Sequence, residues 1–274
     1  MPLFLIVVFL CTELSVHGSM DIGVCYGTVA DNLPSATSVI DLYYKHNIGK
    51  LRLFNPNPDA LNVLRGCCID VTLGVPNEDV PKLAASQEGA NYWFETNVKP
   101  YLDVVFPYIA VGNEIVPGIY AATILPAMQN LQNVLDANGL SGIKVSSVLA
   151  SSTLGVSFPP SASVFTPDAS FVLGDILRFL SAKGAPLLIN VYPYFAYSSE
   201  PVNVRLDYAQ FTTTGEVLRN AGNGNFTTPE LASTCNQNFA KHINSMKGTP
   251  KIPDAYEEGF IFAMLNENQK TPGV

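Results

Sequence analysis

Charge is the first scarcity. Only 14% of the 274 residues are Asp, Glu, Lys or Arg, and 15 basic against 23 acidic side chains leave a net charge of −8. A chain so poor in cations has no electrostatic footing on nucleic acid or on an anionic membrane, and it suits a neutral partner. Histidine is scarcer still. His17, His46 and His242 have no metal-ligand spacing, so neither a metal nor another cofactor is expected. No glycine-rich phosphate loop follows the first apolar run of the body of the chain, which disfavours phosphorylated ligands. Cysteine is too thin for a disulfide framework. Beyond Cys11 there are Cys25, Cys67, Cys68 and Cys235, and the adjacent pair has neither zinc nor redox-motif spacing. These thiols read as buried apolar fillers. Trp93 is the only tryptophan.

Long apolar runs are missing too, save one at the start. Met1-Pro-Leu-Phe-Leu-Ile-Val-Val-Phe-Leu-Cys-Thr12 is too short to span a bilayer and is followed by the small residues Gly18 and Ser19. It reads as a secretory signal cut after Gly18, although its n-region has no Lys or Arg. Residues 1–18 are therefore expected to be removed, leaving no membrane association. Asn225-Phe-Thr227 is the one glycosylation sequon, in a Gly/Asn-rich stretch where a glycan fits.

What is abundant is apolar mass. At 47% hydrophobic, residues 19–274 can bury a large core, and one α/β barrel domain suits the length better than two small domains. Apolar runs alternate with helix-like stretches in a βα rhythm. The expected strands are 22–26, 50–54, 70–75, 108–111, 143–148, 186–191 and 260–265. The expected helices are 34–46, 80–98, 119–138, 169–183 and 229–244. The strands end in Tyr26-Gly27, Asn55-Pro56-Asn57, Pro76-Asn77, Gly112-Asn113-Glu114, Tyr192-Pro-Tyr194 and Asn266-Glu267-Asn268. In a parallel α/β barrel all those ends share one face. A cleft lined by Tyr, amides and carboxylates suits a carbohydrate, since rings stack on sugar faces and amides bind hydroxyls. The run Tyr108-Ile-Ala-Val-Gly-Asn-Glu114 stands out, because it is a buried-strand pattern that ends in an amide and a carboxylate.

Five stretches, in order, are familiar: Ile22-Gly-Val-Cys-Tyr-Gly27, Leu51-Arg-Leu-Phe-Asn-Pro56, Val111-Gly-Asn-Glu114, Asn190-Val-Tyr-Pro-Tyr-Phe195 and Phe262-Ala-Met-Leu-Asn-Glu-Asn-Gln-Lys270. Together they resemble the plant endo-1,3-β-glucanases of glycoside hydrolase family seventeen, from Ile22 to about Lys270. The resemblance implies a (β/α)₈ TIM barrel and a retaining glycosidase acting on cell-wall β-1,3-glucan. It also implies a monomer that is secreted to the extracellular space, the cell wall or the vacuole, with a role in defence or wall remodelling. Retention requires two carboxyls about 5 to 5.5 Å apart, one protonating the leaving oxygen and one attacking the anomeric carbon. By the same resemblance Glu114 is the acid/base and Asn113 binds the sugar 2-hydroxyl. Tyr26, Arg52, Tyr192, Tyr194, Glu267 and Lys270 line or brace the cleft. Asn55 and Phe54 stand where the family usually has Asp and Tyr.

One word of the family is absent. Its nucleophile lies in a Val-Ser-Glu-(Ser/Thr)-Gly-Trp-Pro motif that this sequence does not contain. Leu206-Asp-Tyr-Ala-Gln-Phe211 resembles the start of the loop after strand six, and Ala221-Gly-Asn-Gly-Asn225 the loop after strand seven. The two are almost contiguous, so about one βα unit, of roughly 30 residues or more, is skipped. The expected barrel is thus incomplete, without strand seven, the helix before it or the closing helix. Glu216 is a poor substitute nucleophile in its Gly-flanked setting. Three readings stay open: a hydrolase of impaired activity, a glucan-binding protein without catalysis, or a splicing or annotation product with no function of its own.

Overall fold

The computed structural model describes residues 20–156, 162–193, 196–197, 204, 206–210, 229–246, 248, 253–254 and 256–270. They fall into two compact units, the first holding residues 24–190 and the chain from Phe262 onward, the second residues 20–23 and 191–261.

The first unit opens with β1 (Met20–Tyr26), whose first four residues count with the second unit. Helix α1 (Ala36–Lys45) starts where the Ser35 hydroxyl accepts from the Ser38 N–H, and its apolar face buries Val39, Ile40 and Tyr43. The strand β2 (Ile48–Leu53) follows, then a short helix α2 (Pro58–Val63). Asn57 caps α2 at 2.9 Å from the Ala60 N–H, and Pro58 sits in the first turn, where its missing donor costs nothing. After β3 (Asp70–Val75) the expected single helix over 80–98 is two, α3 (Val80–Ala85) and α4 (Gln87–Asn97). Ser86 causes the break: it is extended (φ −162°, ψ 155°), and its hydroxyl caps α4 by accepting from the Gly89 N–H at 3.0 Å. Then come β4 (Val105–Asn113), α5 (Ile124–Ala137) and β5 (Lys144–Ala150). A small antiparallel pair, β6 (Leu154–Val156) with β7 (Val164–Phe165), had no signal in the sequence pattern. Helix α6 (Pro167–Lys183) runs between a Thr166 cap and Gly184 in the left-handed conformation (φ 59°), and β8 (Leu188–Asn190) closes the unit's run of strands.

The strand order in the first unit is β8-β5-β4-β3-β2-β1. The pairs from β2 through to β8 are parallel, as βα connections require. The central strands are buried on both faces: Leu51, Leu53, Val71, Leu73, Ile109, Val111 and Val145 on one, and Arg52, Thr72, Ala110 and Ser146 on the other, are at most 8% exposed. That explains their near-continuous apolar runs. β2 and β3 are so close at Gly74 that a Cβ there would lie 2.2 Å from the Phe54 carbonyl oxygen. At the end of the order, β8 pairs among the described residues with β5 alone, and Ile189 is half exposed.

The described residues of the second unit include the helices α7 (Leu206–Ala209) and α8 (Pro229–Asn244) and the strand β9 (Gly259–Ile261). The Cys235 thiol donates to the Ala209 carbonyl at 3.4 Å, and the ring of Phe239 lies against Gly259, where a Cβ would come within 2.5 Å.

The cysteine expectation needs correcting. Cys25 is buried, but Cys68 is exposed, and Cys67 and Cys235 are intermediate. Cys68 follows the short helix α2, which the sequence pattern did not resolve, and only one of the adjacent pair can face inward there. Residues 1–18, Tyr194, Glu216 and Asn225 lie outside the described residues.

Candidate active site

The site is built where β4 ends. The β4–β5 register shifts between Ala110 and Asn113, and Gly112 is left-handed (φ 72°). Such a bulge re-aims the side chains that follow it. Glu114 is itself left-handed (φ 58°), a backbone state that costs a non-glycine residue about 1 kcal/mol. Its N–H donates to the Val148 carbonyl at 2.9 Å, so the strained residue is fixed to β5. One residue earlier, the Asn77 side chain acts as a substitute strand. It accepts from the Asn113 N–H at 2.7 Å and donates to the Asn113 carbonyl at 3.0 Å.

Arg52, at the end of β2 and 8% exposed, organises the polar groups. Its Nη2 donates to Asn113 Oδ1 at 2.6 Å and its Nη1 to Asn190 Oδ1 at 3.0 Å. The guanidinium lies 4.4 Å from the centroid of the Phe54 ring, a contact that Phe makes as well as Tyr would. A guanidinium has donors only, so both amides must turn their oxygens toward it. Asn190 Nδ2 then donates to Glu114 Oε1 at 2.5 Å and to Asn113 Oδ1 at 3.2 Å.

The second cluster is a clasp between the segment after β1 and residues 264–270. Glu267 Oε1 accepts from the Val29 N–H at 2.8 Å, while Oε2 pairs with Lys270 Nζ at 3.0 Å. With its side chain 4% exposed, Glu267 is lodged under Gly27, where a Cβ would come within 2.2 Å of its carboxyl carbon. Asn268 donates to Asp31 at 2.8 Å, holding that carboxyl below the usual range, and the Met264 N–H donates to the Cys25 carbonyl at 2.9 Å. Lys270 Nζ stands 4.1 Å from the Phe262 ring centroid, and Phe262 meets Phe54 edge-on at 5.9 Å. Burial pushes the Cys25 thiol up to about 11, against the pull of the Arg52 and Lys270 charges.

The structure therefore brings Arg52, Asn113 and Glu114 into one hydrogen-bonded group, and Glu267 with Lys270 into another. Tyr26, the last residue of β1, is 4% exposed, whereas Tyr192, in the second unit, is 44% exposed. Asn77 and Asn190 were not singled out as site residues, although both stand at the carboxyl end of a strand. Their role depends on partners 36 and 76 residues away, which linear spacing does not reveal.

Comparison with known proteins accounts for this arrangement. Residues 22–226 match the sequence profile of the glycosyl hydrolases family 17. The chain belongs to that family. The probable glucan endo-1,3-beta-glucosidase BG4 of Arabidopsis thaliana is 43% identical over 94% of this chain and 86% of its own length. A glucan endo-1,3-beta-glucosidase of Vitis vinifera is 40% identical over 93% of this chain and 86% of its own. Among solved structures, CJP38, a beta-1,3-glucanase and allergen of Cryptomeria japonica pollen, superposes with a TM-score of 0.84 at 36% identity, covering 92% of each chain. The parallel sheet with its outer helices is accordingly that of the family 17 TIM-barrel hydrolases, in incomplete form. The alignment to the Arabidopsis relative runs over 299 positions, more than the chain's own 274 residues, so the relative carries residues that this family 17 chain skips.

Proposed function

We propose that this family 17 chain engages β-1,3-glucan in the manner of an endo-1,3-β-glucanase and lacks the group needed to complete the reaction. Glu114 is the acid/base, Asn113 presents its amide to the sugar 2-hydroxyl, and Tyr192 and Tyr194 stack on the glucan. The observation that carries the reading is the Arg52–Asn113–Asn190–Glu114 group at the ends of β2, β4 and β8. It holds a carboxyl beside an amide of fixed polarity, the arrangement that protonation of a glycosidic oxygen calls for.

Retention further requires a carboxylate to form the glycosyl-enzyme, and the motif that supplies it is missing from the sequence. Glu267 does not replace it, because both its oxygens are committed to Val29 and Lys270 in a site only 4% exposed. The chain therefore binds glucan without a turnover that depends on Glu114. The apolar opening of the sequence supports a secreted protein, acting as a monomer on wall glucan. No helix of the described residues is long and apolar enough to cross a membrane.

Titration calorimetry with laminari-oligosaccharides tests the binding half. Saturable heat that weakens at least tenfold in Asn113→Ala is expected. Heat equal to that of a cello-oligosaccharide control, or none at all, would overturn the assignment of glucan.

A further inference from the structure

Asn190 is the last residue of β8, a strand of three residues held on one side by β5 through the pairs Val148↔Leu188, Leu149↔Ile189 and Ala150↔Asn190. A strand of three residues supplies little rigidity of its own, yet its final side chain makes three polar contacts with residues on or just after other strands. Arg52 occupies Oδ1, which removes the amide's freedom to flip. Both hydrogens of Nδ2 must then face Asn113 Oδ1 and Glu114 Oε1, so both donors of the amide and one acceptor direction of its oxygen are committed.

The consequence falls on Glu114. A carboxyl on a left-handed backbone residue at the end of a strand has several staggered rotamers open to it. The 2.5 Å contact to Asn190 selects one and defines which oxygen is held. We infer that Asn190 is the positioning residue of Glu114: oriented by Arg52, it fixes the carboxyl by Oε1 and so sets the direction from which the acid meets its ligand. The inference rests on the reading of Glu114 as the acid only for its meaning in the reaction. The contact itself exists without a ligand.

The test uses the whole chain, free of glucan, so its failure is separate from a failure of the glucan assignment. The side-chain ¹⁵N–¹H signals of Asn190, identified by their loss in Asn190→Asp, are followed from pH 3 to pH 9. Arg52, the other charged group on this amide, stays protonated throughout. In the wild type the Asn190 pair should shift with pH, and in Glu114→Gln that shift should vanish while the remaining spectrum is unchanged. A second variant addresses the orienting step. In Arg52→Lys the two Asn190 protons should broaden or move toward the positions of a solvent-exposed amide. An Asn190 pair that ignores pH in the wild type, or that titrates equally in Glu114→Gln, would overturn the proposal. A merely structural amide would behave in one of those two ways.

Discussion

Replacing Arg52 by Lys keeps the charge and most of the apolar stem, but it removes the planar fork that serves two amides at once. In the wild type the fork makes contacts of 2.6 and 3.0 Å from a side chain on a residue 8% exposed. A hydrogen bond to a charged group contributes about 1.5 to 3 kcal/mol, and a lysine ammonium can keep one of the two while the other amide oxygen finds water. The expected loss is about 2 kcal/mol, because the charge remains partnered and no cavity larger than the guanidinium carbons is left. Guanidinium unfolding followed by the fluorescence of Trp93 measures this in the first unit, since Trp93 is the sole tryptophan and is 4% exposed on α4. A far-UV circular dichroism trace should give the same midpoint. The stronger form of the prediction is a cycle with Asn190→Ala. Arg52 and Asn190 are in contact, so the two losses should fall short of additivity by about 1 kcal/mol. A loss below about 0.5 kcal/mol for Arg52→Lys, or losses additive within about 0.5 kcal/mol, would refute the claim that Arg52 orients that amide.

Three other outcomes follow from the geometry. Gly74→Ala should destabilise by about 3 kcal/mol, or prevent folding, because the new methyl would meet the Phe54 carbonyl at 2.2 Å and backbone cannot yield as a side chain can; chemical denaturation measures it. Glu114→Gly should be more stable than Glu114→Ala by about 1 kcal/mol, since only glycine relieves the left-handed backbone at φ 58°; a difference of zero or the opposite sign in thermal midpoints would contradict this. Burial pushes the Cys25 thiol from the usual 9.0 up to about 11, so the unfolded chain releases its proton first. Its contribution is fully present below pH 9 and is lost as pH rises to about 11, a decline of roughly 3 kcal/mol at 1.36 kcal/mol per unit. The stability of the wild type relative to Cys25→Ala should fall across that window, and iodoacetamide at pH 8 should label Cys68 long before Cys25.

Strands and helices were legible where burial imposes a period. The apolar runs around Leu51 to Leu53, Val71 to Val75 and Tyr108 to Val111 lie in β2, β3 and β4 because those strands are covered on both faces. The helix over 80–98 was misread at one residue: a lone serine offers no break in hydrophobic period, and its capping role appears only once its hydroxyl meets the Gly89 N–H. The short helix α2 and the β6–β7 pair were invisible for another reason, since six and three residues are too few to display a repeat. At the site, Asn113 and Glu114 stood out because polar side chains at the end of a buried run need an explanation. Arg52 and Lys270 were reached through resemblance alone, and Glu267 stood in a polar strand end to which only the resemblance gave a role. Asn77 and Asn190 looked like ordinary strand-end amides, and their importance lies in contacts between strands that no local pattern encodes. The deletion was legible in the sequence because a motif that should recur was missing, and the longer alignment to the Arabidopsis relative is consistent with it.

The central claim is an acid without its attacking partner. Laminari-oligosaccharides incubated with the chain in ¹⁸O-labelled water, with products read by mass spectrometry over hours, test it most directly. The account predicts intact oligosaccharide that remains bound, with no labelled fragment above the level seen for Glu114→Gln. Short fragments carrying one ¹⁸O at the reducing end, formed by the wild type and absent with Glu114→Gln, would contradict it and require a nucleophile that the sequence reading did not find.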